Sequence, residues 1–223
     1  NVNLECRGGT QAEQTAAILV SFEQELMANP TDLVMVVGDV TSTMACAIVA
    51  QKLHIKVAHV EAGIRSDDWT MPEEINRVLT DHVSTLLMCP TELAIKNLAN
   101  EGIDEGVYAT GDLMYDVMLA LAPIAIERSE ILTKTGLVKG SYTLATMHRA
   151  ENTDTEEALR KATDFLVSLS SENPLVLPLH PRTKAALERF NLDPFSKGDI
   201  RLLEPVGYLD MLALLQGAAL VAT

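Results

Sequence analysis

The chain has 223 residues, 48% hydrophobic and 22% charged, enough for one large core or two modest ones. Its formal net charge of −14 excludes non-specific binding to a phosphate backbone, which needs clustered Lys and Arg, so no nucleic-acid partner is expected. Cys6, Cys46 and Cys89 are odd in number and lack any CxxC pairing, which leaves no disulfide framework or zinc site indicated and fits a reducing cytoplasm.

Residues 1–10 are a loose lead-in with Gly8-Gly9 and no leader pattern. Residues 13–26 place Ala17, Ile18, Phe22 and Leu26 at helical spacing and stop before Asn29-Pro30, which predicts an amphipathic helix on a sheet. Leu33 to Val37 is an unbroken apolar run, rich in β-branched residues, that ends in Gly38-Asp39. Thr41-Ser42-Thr43 then opens the helical pattern Met44, Ile48, Val49, so the expectation is strand, tight turn and a capped helix ending near Leu53. A second strand over 56–59 ends at Val60-Glu61-Ala62-Gly63 and completes a βαβ unit, whose crossover is right-handed in nearly all cases. Pro72-Glu73-Glu74 starts the next helix, with the acids beside its positive end and Ile75, Val78, Leu79 and His82 as its inner face. Strands over 85–89 and 107–110 flank a helix over 93–100 that is signalled by Pro90-Thr91 and stopped by Gly102. This alternation predicts a doubly wound parallel sheet.

Gly111-Asp112 opens a helical run through Met114, Val117, Met118 and Leu121 to Pro123, the bridge out of a first domain of residues 1–122; its methionines read as packing. Residues 123–223 form the second domain. They carry a short charged helix within 124–140, a strand over 142–146 running into His148-Arg149, and a helix over 154–169 opened by Asp154, Glu156 and Glu157. A strand over 174–179 then ends in His180-Pro181-Arg182, and strands over 200–203 and 220–222 bracket a helix over 208–216. The most apolar stretches, 113–126 and 211–222, are interrupted by Asp116 and Pro123 or by Gln216 and Gly217, and fall short of the ~20 residues a membrane span needs. The missing initiating Met and a last strand without the element it should feed read as a piece of a longer chain.

Three carboxylates fall where a parallel sheet puts chemistry. Asp39 and Glu61 come just past the carboxyl ends of two successive strands, the edge where open α/β sheets keep their ligand crevice, and Glu73 sits in the first turn of a helix. Each has an ordinary reading too: an acid after Gly38 can satisfy turn amides, and a first-turn acid can serve the helix dipole. The second half repeats the pattern with opposite charge, in His148, Arg149, His180 and Arg182. Acids on one wall and cationic donors on the other suit a ligand with a sugar at one end and a diphosphate at the other. His54, His59 and His82 read as core or hydrogen-bonded residues, Arg182 also as a solvated loop charge, and Trp69 is given no role.

VVGDVTST, HVEAGIRS and MPEEINR, in this order and spacing, with ATMHRAEN and LPLHP further on, resemble the motifs of the non-hydrolysing UDP-N-acetylglucosamine 2-epimerase family over nearly the whole chain. The resemblance implies an α/β fold of two Rossmann-like domains with parallel sheets facing a cleft, glycosyltransferase B-like, both incomplete. It implies epimerisation at C2 of UDP-N-acetylglucosamine to UDP-N-acetylmannosamine by UDP elimination to a glycal and re-addition. By motif position, Asp39, Glu61 and Glu73 would be the acid–base set, joined in the catalytic set by His148. His148 and Arg149, with His180 and Arg182, would hold the UDP-sugar. It also implies a homodimer with no metal or nicotinamide cofactor and no membrane partner. The family's Gly-Thr-Arg loop would precede Asn1 and its Asp-Ser-Gly-Gly loop would follow Thr223. Competing readings are a hydrolysing epimerase, a nucleotide-sugar glycosyltransferase and an inert UDP-sugar-binding fragment. A metallophosphatase lacks its metal-ligand spacing.

Overall fold

The computed structural model describes residues 2–148 and 150–223. The chain divides into two compact units, Asn1–Met114 and Tyr115–Thr223, each built on a parallel four-stranded sheet. Among the described residues no helix is long and apolar enough to cross a membrane.

In the first unit β1 (Leu33–Val37), β2 (Lys56–Val60), β3 (Leu86–Cys89) and β4 (Val107–Ala109) pair in sequence order. The order never reverses, so the three crossovers run the same way and the double winding expected from the sequence is not seen among these strands. β1 alternates as a half-covered strand must: Val34 and Val36 are buried, and Leu33, Met35 and Val37 are exposed. The buried pair packs with Leu26 of α1 (Gln11–Ala28) and with Ala47, Val49 and Ala50 of α2 (Thr41–Lys52). α1 opens on a capping box in which the Thr10 hydroxyl accepts from the Glu13 amide and the Glu13 carboxylate from the Thr10 amide. α2 does not use its Thr-Ser-Thr run as a cap. Val40 is the N-cap residue, and the Thr43 hydroxyl donates instead to the Val37 carbonyl at 2.8 Å, tying the helix to the end of β1.

α3 (Pro72–Val83) begins at the expected proline, but its inner face is polar. Glu74, Asn76, Thr80 and Asp81 are buried, while Ile75 and Leu79 are each 41% exposed and His82 is exposed. The expected apolar inner face is therefore wrong, because every buried polar group on this helix has a partner and needs no water (below). α4 (Glu92–Asn100), capped by the Thr91 hydroxyl, buries Ala94 and Leu98 against Ala62, Leu87 and Cys89.

The second sheet has the order β7-β6-β5-β8, made of β5 (Thr143–Ala145), β6 (Leu175–Pro178), β7 (Ile200–Leu203) and β8 (Leu220–Ala222). The direction reverses between β5 and β8, which gives this unit a topological switch point. β6 is buried at every position, as a strand covered on both faces should be. α8 (Glu156–Leu169) and α9 (Pro181–Arg189) cover one face through Leu159, Leu166 and Leu187. On the other, Leu214 of α10 (Tyr208–Gly217) packs with Tyr142, Leu144 and Val176. Two shorter helices, α6 (Ile131–Thr135) and α7 (Ala150–Thr153), complete this unit. The division between the units falls inside α5 (Leu113–Arg128). Pro123 does not end this helix as expected: Ala125 beyond it is fully buried with Leu212 and Ala213, and that packing carries the helix past the lost donor. Of its methionines Met118 packs, whereas Met114 is 61% exposed.

The Tyr142 hydroxyl, fully buried, donates at 2.6 Å to the carbonyl of Leu214, in the last turn of α10 where carbonyls run out of intrahelical donors. Burial pushes its pKa up to about 12. Tyr142→Phe removes that donor and should lower stability by about 1–2 kcal/mol. Urea unfolding would read this as a lower midpoint at unchanged slope, and an unchanged midpoint would contradict it.

Candidate active site

The end of β1 turns through Gly38, whose φ of +71° only glycine adopts freely. Its amide donates to the Val60 carbonyl at 3.1 Å, locking the β1 turn to the end of β2. The next residue on that second strand end is Glu61, which itself has φ +71°. A glutamate held there stores on the order of 1 kcal/mol of backbone strain, a cost typical of functional positions. Its carboxylate lies over the neighbouring turn, Oε2 being 3.8 Å from where a β-carbon on Gly38 would stand. The first turns of α3 reach the same place. Asn76 Nδ2 donates to the Asp39 carbonyl at 2.9 Å and Arg77 Nη2 to the Asp39 carboxylate at 2.5 Å. Two strand ends and the start of one helix thus come together, carrying Asp39, Glu61 and Glu73.

The three acids are not equivalent. Asp39 is neutralised by Arg77, whose other terminal nitrogen reaches Glu74 at 3.0 Å. Glu61 and Glu73 are half-buried, and among the described residues no hydrogen bond or ion pair holds either carboxylate. Their charge is available to a ligand.

Behind them lies a second pair of carboxylates that the sequence reading missed. Glu74, 2% exposed, accepts from the amide and hydroxyl of Ser66, both at 2.9 Å, from the Asp67 amide at 3.0 Å and from Arg77. Burial alone would raise its pKa, but the Ser66 donors, Arg77 and the Asp67 amide together outweigh burial and hold it below the ordinary value. Asp81, 1% exposed, accepts from the Gly63 amide at 3.0 Å and Arg65 Nη1 at 2.7 Å, and its other oxygen lies 2.6 Å from His59 Nδ1. Arg65 also forms a two-pronged pair with Glu101, at 2.6 and 2.9 Å. Burial works against the Arg65 charge, but its bonds to Glu101 and Asp81 prevail and push its pKa up. The signal was present in the sequence: Glu74 and Asp81 are seven residues apart, two helical turns, and so share one face.

In the second unit His148 and His180 come together at the carboxyl ends of β5 and β6, their ring centroids 5.9 Å apart and tilted by 47°. Both are exposed. His180 caps α9, its Nδ1 accepting from the Arg182 amide at 3.2 Å, and the Thr183 hydroxyl ties the helix to the Met147 carbonyl at 2.5 Å. A cavity of about 240 Å³ at this edge is lined by Thr146, Met147, His148, Glu151, Asn152 and Thr223. The Arg182 side chain turns elsewhere, to the Thr153 hydroxyl at 3.2 Å and the Asp154 carboxylate at 2.7 Å. Arg149 lies outside the described residues. Among the described residues no cluster of three or more His, Cys, Asp or Glu is placed to hold a metal ion.

The model of the family described as UDP-N-acetylglucosamine 2-epimerase matches residues 1–223. A UDP-N-acetylglucosamine 2-epimerase homolog of Methanococcus maripaludis is 45% identical over 100% of this chain and 63% of its own length. The UDP-2,3-diacetamido-2,3-dideoxy-D-glucuronate 2-epimerase of Pseudomonas aeruginosa is 42% identical over 99% of this chain and 61% of its own length. Among solved structures, the Methanocaldococcus jannaschii UDP-GlcNAc 2-epimerase in complex with UDP-GlcNAc and UDP superimposes with a TM-score of 0.87 at 41% identity, covering 99% of this chain and 62% of that one. The chain therefore spans less than two thirds of the length of these relatives.

Glu74 gives a pH prediction with a definite sign. A carboxyl whose folded pKa lies below its unfolded one contributes stability that is full above the ordinary value of 4.5 and is lost as pH falls through the folded value. Glu74→Gln should therefore be less stable than the wild type at pH 7, by roughly 2 kcal/mol. The gap should narrow as pH drops from 5 towards 3. Urea midpoints of both proteins across that range test this; a gap independent of pH would contradict it.

Proposed function

The chain belongs to the UDP-N-acetylglucosamine 2-epimerase family, and from that membership we propose that this protein inverts carbon 2 of UDP-N-acetylglucosamine, giving UDP-N-acetylmannosamine. The observation that carries the proposal is the meeting of the β1 and β2 turns, which carry Asp39 and Glu61, with the first turns of α3, the helix that carries Glu73, while among the described residues no hydrogen bond or ion pair occupies the Glu61 or Glu73 carboxylate.

The C2 hydrogen of such a sugar is not beside a carbonyl, so a plain base gains little. When the C1–O bond to UDP breaks, C1 becomes oxocarbenium-like and the adjacent C2 proton becomes acidic. One carboxylate takes that proton, giving a 2-acetamido glycal and free UDP. A second acid returns a proton to C2 on the opposite face, and UDP re-adds at C1, so atoms and charge balance without an oxidant. Two acid–base groups are the simplest means, and a third anion steadies the cationic centre. Glu61 and Glu73, whose carboxylates have no hydrogen bond or ion pair among the described residues, fit the proton transfers; Asp39, already paired with Arg77, fits the anion. The departing diphosphate needs donors, a role the proposal gives by motif to His148, Arg149 and His180, of which His148 and His180 have their rings 5.9 Å apart. Arg182 stays in this set as a proposal: its Nε and Nη2 bond Thr153 and Asp154, and the guanidinium has further N–H donors to offer. The proposal extends to a homodimer in a reducing cytoplasm that supplies cell-surface polysaccharide synthesis, on the strength of the family likeness and three free thiols.

A second substrate is favoured by one observation. The relative that acts on UDP-2,3-diacetamido-2,3-dideoxy-D-glucuronate is 42% identical, as near as the Methanocaldococcus jannaschii UDP-N-acetylglucosamine 2-epimerase at 41%. The chemistry at C1 and C2 is the same for both sugars, and the substituents at C3 and C6 distinguish them.

Each UDP-sugar incubated with the protein in heavy water should lose its C2 proton signal in the NMR spectrum as deuterium enters at C2, while the anomeric proton signal of the C2 epimer appears. The sugar that exchanges faster is the substrate. Glu61→Gln should lower the exchange rate by about 10²–10⁴-fold with the fold intact. Full turnover by that variant would remove Glu61 from the acid–base set.

A further inference from the structure

The chemistry proposed above uses Asp39 and Glu61 but leaves a fully buried histidine directly behind them without a role. His59 lies in β2, two residues before Glu61, and is 0% exposed. Its Nδ1 is 2.6 Å from Asp81 Oδ1 and its Nε2 is 2.8 Å from the Gly38 carbonyl oxygen. A carbonyl can only accept. Ionised Asp81 can only accept as well, and its second oxygen already receives the Gly63 amide and the Arg65 guanidinium, which favour that ionised form. A neutral imidazole donates from one nitrogen alone, so either tautomer would set two acceptors against each other across one of these short contacts. A ring with a hydrogen on both nitrogens satisfies every group.

What this ring joins is the point. Gly38 immediately precedes Asp39, and Gly63 follows Glu61 by two residues. Gly38 carbonyl, His59, Asp81 and Gly63 amide therefore form a continuous strap between the two turns that carry the acids. The Glu61 side chain has no hydrogen bond of its own among the described residues, so its placement depends on how its backbone turn is held. We propose that His59, protonated on both ring nitrogens, is a positioning residue that sets the Asp39 turn against the Glu61 turn. The proposal rests on the functional reading given above.

The test has two arms on the wild-type protein and its variants. In protein labelled with ¹⁵N-histidine, the His59 resonances, identified by the slow solvent exchange expected of the one fully buried histidine, should show a bound hydrogen on both ring nitrogens at neutral pH. In the kinetic arm, H59F removes both donors, while the H59Q amide restores one aimed at the Gly38 carbonyl. C2 exchange should fall about 10–100-fold in kcat for H59F, with KM within about threefold, because the misplaced groups act on the reacting carbons. H59Q should recover most of that kcat. A purely structural histidine would change the melting temperature of both variants and leave kcat per folded molecule alone. A ring nitrogen without hydrogen in the wild type, or an unchanged kcat in folded H59F, overturns the proposal, and if neither variant folds the ring spectra decide. Absence of exchange by the wild type itself would overturn the functional reading and the positioning role with it, and is seen separately from the ring spectra.

Discussion

The first unit is organised around the carboxylate of Asp81. An ionised group taken out of water is tolerated only when its hydrogen-bonding capacity is filled, and Asp81 fills its own with His59, the Gly63 amide and Arg65. These partners come from a strand and from the segment that follows it, so one buried charge fixes where β2 ends, how the chain leaves it, and how α3 lies beneath. Removing it would strand three donors in a space without water. Arg65 extends the same network outward to Glu101.

Two adjacent residues show how the helix divides its labour. Glu73 and Glu74 differ in chemistry only by their place on α3, about 100° of rotation apart. Glu74 points inward and spends its charge on Ser66, Asp67 and Arg77, holding the loop between β2 and α3. Glu73 is half-buried, and among the described residues its carboxylate holds no hydrogen bond or ion pair. The buried acids build the support, and the proposed function assigns the chemistry to acids that no bond occupies among the described residues, so that the proposed reactive groups are placed by structure that does not itself react. In the second unit the same economy operates with helix caps. His180 follows β6 by two residues, caps α9 and faces His148, so one residue sets both the helix start and the position of its own ring.

The elements themselves were largely legible. β1 at Leu33–Val37 and β7 at Ile200–Leu203 run over the residues their apolar pattern marks. Asp39, Glu61 and Glu73 could be picked out because strand ends and helix starts are readable from Gly38, Gly63 and Pro72. What could not be read was which side of α3 faces in. Hydrophobic periodicity assumes that the apolar stripe is buried, and it selected Ile75 and Leu79, whereas the buried stripe is Glu74, Asn76, Thr80 and Asp81. That inversion depends on partners distant in sequence: His59 is 22 residues from Asp81 and 21 from Gly38. His59 was rightly placed in the core, yet nothing local announces what its two nitrogens touch. Pro123 misled for a similar reason, since burial of Ala125 against α10 carries α5 past a residue that locally reads as a stop.

The account is tested most directly by a crystal structure of the protein with a bound UDP-2-acetamido sugar. It predicts the carboxylates of Asp39, Glu61 and Glu73 within hydrogen-bond reach of the C1–C2 side of the sugar, about 2.6–3.2 Å directly or through one water, with the Asp81 and Glu74 contacts unchanged. A sugar ring seated with all three carboxylates beyond that reach would contradict it.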